Sequence, residues 1–214
     1  MLIRTTVIAA VAAGIASSAH AAIIPFTETF DTNAANWTGP AGPATYDPAG
    51  NIAAETNVNA ASFGVVIALR GQAANNASNG AFIGNWITEG VTALTFSVRH
   101  SAPIPMNFGA RLVTPFNFPG AIGLDFAPVS PGQWTTVTIP ISSAYPGWVS
   151  FEGSDFNTIF SNIGSVQLLY NVPDALAGTG TSIRVEADNI AIIPGAGTLA
   201  LLTPLLPIAL RRKR

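Results

Sequence analysis

The chain has 214 residues, of which 49% are hydrophobic and 9% are charged, and its formal net charge at pH 7 is −2. Its lack of cysteine excludes disulfides, thiol catalysis and zinc sites built from cysteine. The high apolar content excludes an intrinsically disordered chain.

The charge is unevenly distributed along the chain. Residues 22–193 contain all eleven acidic residues but only four of the nine basic ones, so this region carries a net charge of −7. The four basic residues are Arg70, Arg99, Arg111 and Arg184. An acidic surface argues against nucleic acid, whose phosphates favour Lys and Arg, and is compatible with neutral polymers and divalent cations. The length of the region fits one domain with a substantial core.

The first 21 residues predict a secretory signal peptide. Arg4 gives a short positive n-region, residues 5–18 form an Ala-rich apolar h-region, and Ala19-His20-Ala21 is a small-x-small cleavage site. We expect cleavage after Ala21. The alternative is an uncleaved anchor, but a membrane span needs roughly 20 apolar residues and this run is shorter.

Six segments of the following region alternate apolar and polar residues with the period of a β-strand. They are residues 62–69, 94–99, 108–113, 134–141, 165–170 and 182–186. Trp37 and Trp134 fall within strand-like patterns, so we expect both indoles in the core. Two polar stretches rich in Asn and Ala, residues 51–59 and 71–80, are expected to form loops.

Residues 154–163 instead have the period of an amphipathic helix. Apolar side chains recur there at i, i+3, i+4 and i+7, namely at Phe156, Ile159, Phe160 and Ile163. Ser154 or Asp155 is the expected N-cap. Many strands and one helix predict an all-β, antiparallel two-sheet sandwich with one short helix.

Three segments resemble galactose-binding-like jelly rolls and related carbohydrate-binding modules. Residues 26–37 are similar to the opening strand of that family, residues 132–141 to its central W-x-x-V-x-I-P strand, and residues 187–192 to its closing D-N-I strand. The resemblance implies a jelly-roll domain over residues 22–193. It also makes an extracellular polysaccharide a candidate partner, although fold alone does not establish function.

Three acidic residues lie in the opening and closing segments of this domain. They are Glu28, Asp31 and Asp188. In the jelly rolls that the chain resembles, the first and last strands lie side by side and can hold a structural Ca²⁺, an ion that takes 6–8 oxygen ligands. The alternative is ordinary turn chemistry, in which Asp31 makes an Asx turn and Asp188 caps a bend.

Two loops rich in Pro and Gly carry paired aromatic residues. One contains Tyr145 and Trp148, and the other contains Phe116 and Phe118. An exposed flat ring can stack on the apolar face of a sugar, so both pairs are candidate glycan platforms, with Trp148 the better candidate. The alternative is that these rings close the ends of the sandwich.

The chain shows no catalytic motif, so we do not expect an enzyme. His100 is the one histidine of residues 22–193, and we interpret it as a surface or strand-end residue. The sequence lacks a Gly-x-Ser-x-Gly elbow, a His-Glu-x-x-His helix and a Gly-rich phosphate loop. Two carboxylates alone can hydrolyse a glycoside, so a hydrolase or lyase stays an alternative.

The last 21 residues predict a sorting segment. Pro194-Gly195-Ala196-Gly197 is followed by a short apolar run, residues 198–210, and by a basic end, residues 211–214. A basic end favours the cytoplasmic side of a membrane. The run has thirteen residues and contains two prolines, so it fits transient anchoring better than permanent spanning. An ordinary buried C-terminal helix is the alternative.

This segment resembles the PEP-CTERM sorting signal of Gram-negative bacteria. It matches at Pro194, in the apolar run and at the basic end, and departs at Gly195 and Ala196, where the family has Glu and the second Pro. The resemblance implies a transient inner-membrane anchor, processing near Pro194 by a protease of the exosortase type, and a secreted or cell-surface location.

Together these features predict a secreted, surface-sorted, non-catalytic β-sandwich of the cell envelope or extracellular matrix, with glycan binding as a candidate activity. A purely structural surface protein without a specific ligand is the second hypothesis.

Overall fold

The computed structural model describes residues 22–58 and 64–195. The predicted signal peptide, with Ala21, and the sorting segment beyond Gly195 lie outside the described residues. The first seven strands are β1 Phe26–Glu28, β2 Thr38–Gly39, β3 Gly42–Pro43, β4 Thr45–Asp47, β5 Asn51–Asn57, β6 Val65–Gln72 and β7 Val91–His100. The remaining elements are β8 Phe108–Val113, β9 Gly120–Leu124, β10 Thr135–Pro140, β11 Trp148–Ser150, helix α1 Phe156–Phe160, β12 Ser165–Asn171 and β13 Ser182–Pro194.

The strands form two antiparallel sheets. One sheet has the order β10-β7-β13-β5-β4, with β1 also paired to β13, and the other has the order β11-β9-β8-β12-β6-β2-β3. The predicted all-β two-sheet antiparallel sandwich with one short helix is confirmed. The long strand β13 connects β7 on one side with β5 and β1 on the other, so the first and last strands lie side by side as expected.

Alternation along each strand explains how the core forms. In β7, Leu94, Phe96 and Val98 are buried between the sheets, whereas the polar residues between them are partly exposed. Strand β7 therefore turns every second side chain inward, as a half-buried pleated strand requires. Among residues 22–58 and 64–195, no helix is long and apolar enough to cross a membrane.

Two expectations about polar stretches need correction. Residues 51–59 were expected to form a loop, but Asn51–Asn57 is strand β5, which pairs with both β4 and β13. The small side chains of Ala53 and Ala54 allow burial on both faces of this strand, so it shows no alternation. Within residues 71–80, Gly71 and Gln72 complete β6, and two short 3₁₀ turns follow.

The two tryptophans expected in the core have different environments. Trp37 is 1% exposed, and its indole N–H donates to Ser78 Oγ at 2.9 Å. Trp134 is 42% exposed just before β10, with the Arg99 guanidinium 4.8 Å from its ring centre, so its assignment to the core was wrong. Gly71 makes room for Trp37, because a Cβ there would lie 2.6 Å from the indole.

The helix is shorter than its apolar pattern suggested. It covers Phe156–Phe160, and Asp155 is its N-cap, accepting a hydrogen bond from the Thr158 N–H at 2.9 Å. Ile163 lies beyond the helix and forms a bridge with Gly84. The buried Ile159 and Phe160 anchor the helix against the sandwich.

Candidate functional site

A row of polar side chains crosses the outer face of the seven-stranded sheet. Arg70 of β6 pairs in register with Gln167 of β12, which pairs with Arg111 of β8, which pairs with Ile122 of β9. These residues alternate with core residues such as Leu168, so their side chains point away from the opposite sheet. Four neighbouring strands thus place two arginines and a glutamine in one line.

Arg111 is the centre of a hydrogen-bond network on this face. Its Nε donates to Glu152 Oε1 at 2.5 Å, and its second terminal nitrogen donates to Glu152 Oε2 at 2.7 Å. The remaining N–H groups reach the Gln167 side chain and both the side-chain and backbone oxygens of Asn117. The two charged side chains are only 12% and 17% exposed. All five guanidinium donors therefore have acceptors within the protein.

This network holds the loop between β8 and β9 in place. Asn117 has a left-handed backbone with φ of 62°, and its side-chain oxygen accepts from Gln167 Nε2 at 2.7 Å. The rings on either side of it project outward, with Phe116 91% exposed and Phe118 63% exposed. The exposed aromatic pair predicted in this loop is therefore present.

A groove of about 670 Å³ runs over the row of polar side chains. Its apolar lining residues are Pro40, Ala41, Val65, Val66, Ile67 and Ile122. Its charged lining residues are Glu55, Arg70, Arg111 and Glu152. Within residues 22–58 and 64–195, Arg70 and the groove residue Asn57 make no side-chain hydrogen bond or ion pair. These two groups are therefore free to meet a ligand.

The other predicted aromatic platform is packed into the sandwich. The ring of Trp148 packs against three other aromatic rings. The distances between ring centres are 5.8 Å to Tyr145, 5.9 Å to Phe151 and 5.2 Å to Phe160. The indole N–H donates to the Ser142 carbonyl, and the Tyr145 hydroxyl donates to the Leu124 carbonyl. This is the alternative arrangement, in which the rings close one end of the sheets. A role of Tyr145 and Trp148 in ligand binding stays a prediction.

The three predicted metal ligands lie at the junction of β1 and β13. Glu28 Oε1 accepts from the Phe30 N–H at 3.2 Å, and Asp188 accepts from the N–H of Asn189. Burial raises the pKa of Asp188, and the nearby Asp31 carboxylate raises it further. Among residues 22–58 and 64–195, no three acidic or histidine side chains are arranged to hold a metal ion. Asp31 is thus near enough to act on the charge of Asp188, and the calcium site stays a prediction.

The prediction has a direct test by thermal melting. If Ca²⁺ neutralises Asp31 and Asp188, the protein should melt at a higher temperature in Ca²⁺ than in chelator, because a ligand at a hundredfold excess over Kd stabilises by about 2.7 kcal/mol. Asp188→Asn should remove the difference. Identical melting temperatures in the two buffers would rule out this site.

His100 is a strand-end residue, as one of its two interpretations had it, but it is buried rather than on the surface. It ends β7 with 1% exposure, and its ring lies 5.5 Å from Phe108. Its Nε2 lies 3.0 Å from the Val129 carbonyl, and its Nδ1 accepts from the Ala102 N–H at 3.2 Å. Because Nδ1 is an acceptor, the ring is neutral with its proton on Nε2. Burial lowers the pKa of His100, which opposes protonation in the folded state.

His100 should therefore make stability depend on pH. Above pH about 6.5 both folded and unfolded chains hold a neutral ring, and its full contribution is present. Below that value the unfolded chain binds a proton that the folded chain resists, so stability falls by up to about 1.4 kcal/mol per pH unit. Urea unfolding between pH 5 and 8 should show this slope, and His100→Gln should flatten it. An equal slope in the variant would contradict the assignment.

The groove residues Arg70, Arg111 and Glu152, and their neighbour Gln167, were not predicted as site residues. The sequence does contain a signal for this site. Charged residues are only 9% of the chain, and two of them, Arg70 and Arg111, lie within otherwise apolar strands. Alternation places both on the outer face of one sheet. The sequence does not reveal that β6, β12 and β8 are neighbours, and without that strand order the row of polar side chains cannot be predicted.

No protein-family model matches this chain, and no curated protein sequence matches it. Solved structures with similar architecture include an exo-β-agarase, with 14% identity and a TM-score of 0.46 over 79% of this chain and 25% of the agarase. They also include a family 11 carbohydrate-binding module from Clostridium thermocellum in complex with a β-1,3-1,4-mixed-linked tetrasaccharide, with 15% identity, a TM-score of 0.38 and coverage of 79% and 95%.

A third similar structure is the L4b domain of human laminin alpha-2, with 15% identity and a TM-score of 0.34 over 66% of this chain and 92% of that domain. The chain spans about a quarter of the agarase that it matches. It thus has a distant structural similarity to carbohydrate-binding-module β-sandwiches and to an agarase domain.

Proposed function

We propose that the protein is a non-catalytic carbohydrate-binding β-sandwich that holds a polysaccharide chain in the groove on its seven-stranded sheet. The observation that carries this proposal is the groove itself, about 670 Å³ in volume, with an apolar floor and a few polar side chains. This volume lies within the range of about 300–1,000 Å³ that is usual for small-ligand sites.

The lining of the groove suits a sugar. The aliphatic side chains of Val65, Ile67 and Ile122 offer apolar contact for the C–H face of a ring. Asn57 offers an uncommitted amide that can donate to and accept from hydroxyl groups. The Arg111–Glu152 network supports one wall of the groove, so little conformational entropy is lost on binding.

The carboxylates of the groove favour binding over hydrolysis. A glycosidase needs two carboxyl groups free to act as acid and as nucleophile or base. Glu152 is held by two hydrogen bonds from Arg111, and Glu55 lies near Ser182 and Arg184, at 3.2 Å and 3.7 Å respectively. In the described part of the groove, both Glu55 and Glu152 therefore already have polar partners.

Binding to an array of polysaccharides tests the proposal. We expect saturable binding to at least one polymer, and we expect Ile122→Ser to weaken it about tenfold, equivalent to 1.4 kcal/mol of lost apolar contact. Ile193→Ser is the matched control, because Ile193 is a partly exposed isoleucine in β13 of the other sheet. Absence of binding across the array, or an equal loss in the two variants, would contradict the proposal.

We also propose export and surface sorting, on the sequence features at the two ends of the chain. The mature protein should start at Ala22 and lack residues 211–214. The intact mass of protein recovered from the cell surface measures both ends at once. A mass that retains the basic end would contradict sorting by processing near Pro194.

A further inference from the structure

We infer that the groove prefers a polysaccharide carrying anionic groups, carboxylate or sulfate, which Arg70 binds. This inference rests on the proposed function, since it names the chemical class of the chain in the same groove.

Three of the four arginines in residues 22–58 and 64–195 have acidic partners. Arg99 pairs with Glu186 at 2.6 Å, and Arg111 pairs with Glu152 at 2.5 Å. Arg184 lies 3.4 Å from Glu186 and 3.7 Å from Glu55. Arg70 has no ion pair and no side-chain hydrogen bond in this part of the chain. Residues 22–193 carry a net charge of −7, so acidic partners are abundant, yet none of them pairs with Arg70 in the described part of the chain.

The position of Arg70 directs its charge into the groove. It lies within β6, in register with Thr38 on one side and Gln167 on the other, and it lines the groove while only partly exposed. A guanidinium without a partner, beside apolar side chains of a groove, is available to a ligand that supplies an anion. The planar fork of arginine also matches the two oxygens of a carboxylate or sulfate group.

The acids near the groove do not neutralise Arg70. Glu152 is bound by Arg111, and Glu55 is directed toward Arg184 and Ser182. Arg111 cannot serve the same role, since its donors are already used by Glu152, Gln167 and Asn117. Arg70 is therefore the arginine of the groove that is left to recognise an anion.

Calorimetric titration with paired polymers tests the inference. Polygalacturonate and its fully methyl-esterified form share one backbone and differ in charge, and a sulfated galactan with its neutral galactan forms a second pair. We expect the protein to bind the charged member of at least one pair at least tenfold more tightly, and added salt to reduce that difference. Arg70→Gln should remove the preference without changing the melting temperature.

Arg99→Gln is the control for a general charge effect, because it removes the same charge from β7 of the other sheet. It should keep the preference. Equal binding of charged and neutral members overturns the inference and leaves the proposed function intact. A preference that survives in Arg70→Gln overturns the assignment to this residue. If none of the four polymers binds while a neutral member of the array does, the inference is overturned. If no member of the array binds either, the proposed function itself fails.

Discussion

Replacing Trp37 with Ala should lower the free energy of unfolding by about 3–5 kcal/mol, the usual cost of removing a buried aromatic side chain. Trp37 is packed edge-on between Phe30 and Phe82, with ring centres 6.0 Å and 5.9 Å apart. Gly71 beside it has no side chain that could fill the cavity left by the indole. The change would also leave the buried Ser78 hydroxyl without its indole donor. Urea unfolding at pH 7.5 measures the effect.

Trp134→Ala is the matched control for this prediction. It removes the same side chain from a partly exposed position where the ring lies against the Arg99 guanidinium, so the loss should be about 1 kcal/mol or less. Comparable losses in the two variants would mean that Trp37 is not the anchor that the packing describes.

Replacing Glu152 with Ala should cost roughly 3 kcal/mol, because removal of one partner leaves a buried charge unpaired. Arg111 would keep its contacts with Gln167 and Asn117 but would lose both hydrogen bonds to the carboxylate. The loop that carries Phe116 and Phe118 should become more mobile in this variant, since Asn117 is hydrogen-bonded to the Arg111 guanidinium. Unfolding by urea gives the stability, and amide hydrogen exchange in residues 114–119 reports the loop.

Two further variants separate the ion pair from a general charge effect. Asp174→Ala removes an exposed acid elsewhere in the chain, and it should change the free energy of unfolding by no more than about 0.5 kcal/mol. The double variant Arg111→Met with Glu152→Leu should recover much of the loss, because two apolar side chains leave no unpaired charge. A double variant no more stable than Glu152→Ala would contradict this account of the pair.

The fold was largely predictable because alternation is a local property. Phe108–Val113 was predicted with its observed bounds, and the cores of β7 and β12 were recognised from every second residue. Strand β5 was missed because its first four residues, 51–54, are buried on both faces and its small side chains give no period of two. Strands β9 and β11 were missed because one is rich in glycine and the other has only three residues.

The candidate site was less predictable because it depends on strand order. Arg70, Arg111 and Gln167 are 41 and 56 positions apart along the chain, and only the pairing of β6, β12 and β8 makes them neighbours. The aromatic loops could be found from composition, but composition does not say which rings stay exposed. Trp148 is packed against helix α1, whereas Phe116 and Phe118 project because Asn117 between them is turned inward.

The central claim is that a carbohydrate binds on the outer face of the seven-stranded sheet, and mapping by NMR tests it most directly. Titration of isotope-labelled protein with an oligosaccharide of the best-binding polymer should shift the backbone amides of the groove residues Asn57, Arg70 and Ile122 first and most strongly. Amides of Ile193 and its neighbours in the six-stranded sheet should stay unchanged. Shifts concentrated around Tyr145 and Trp148, with the groove residues unaffected, would contradict the account.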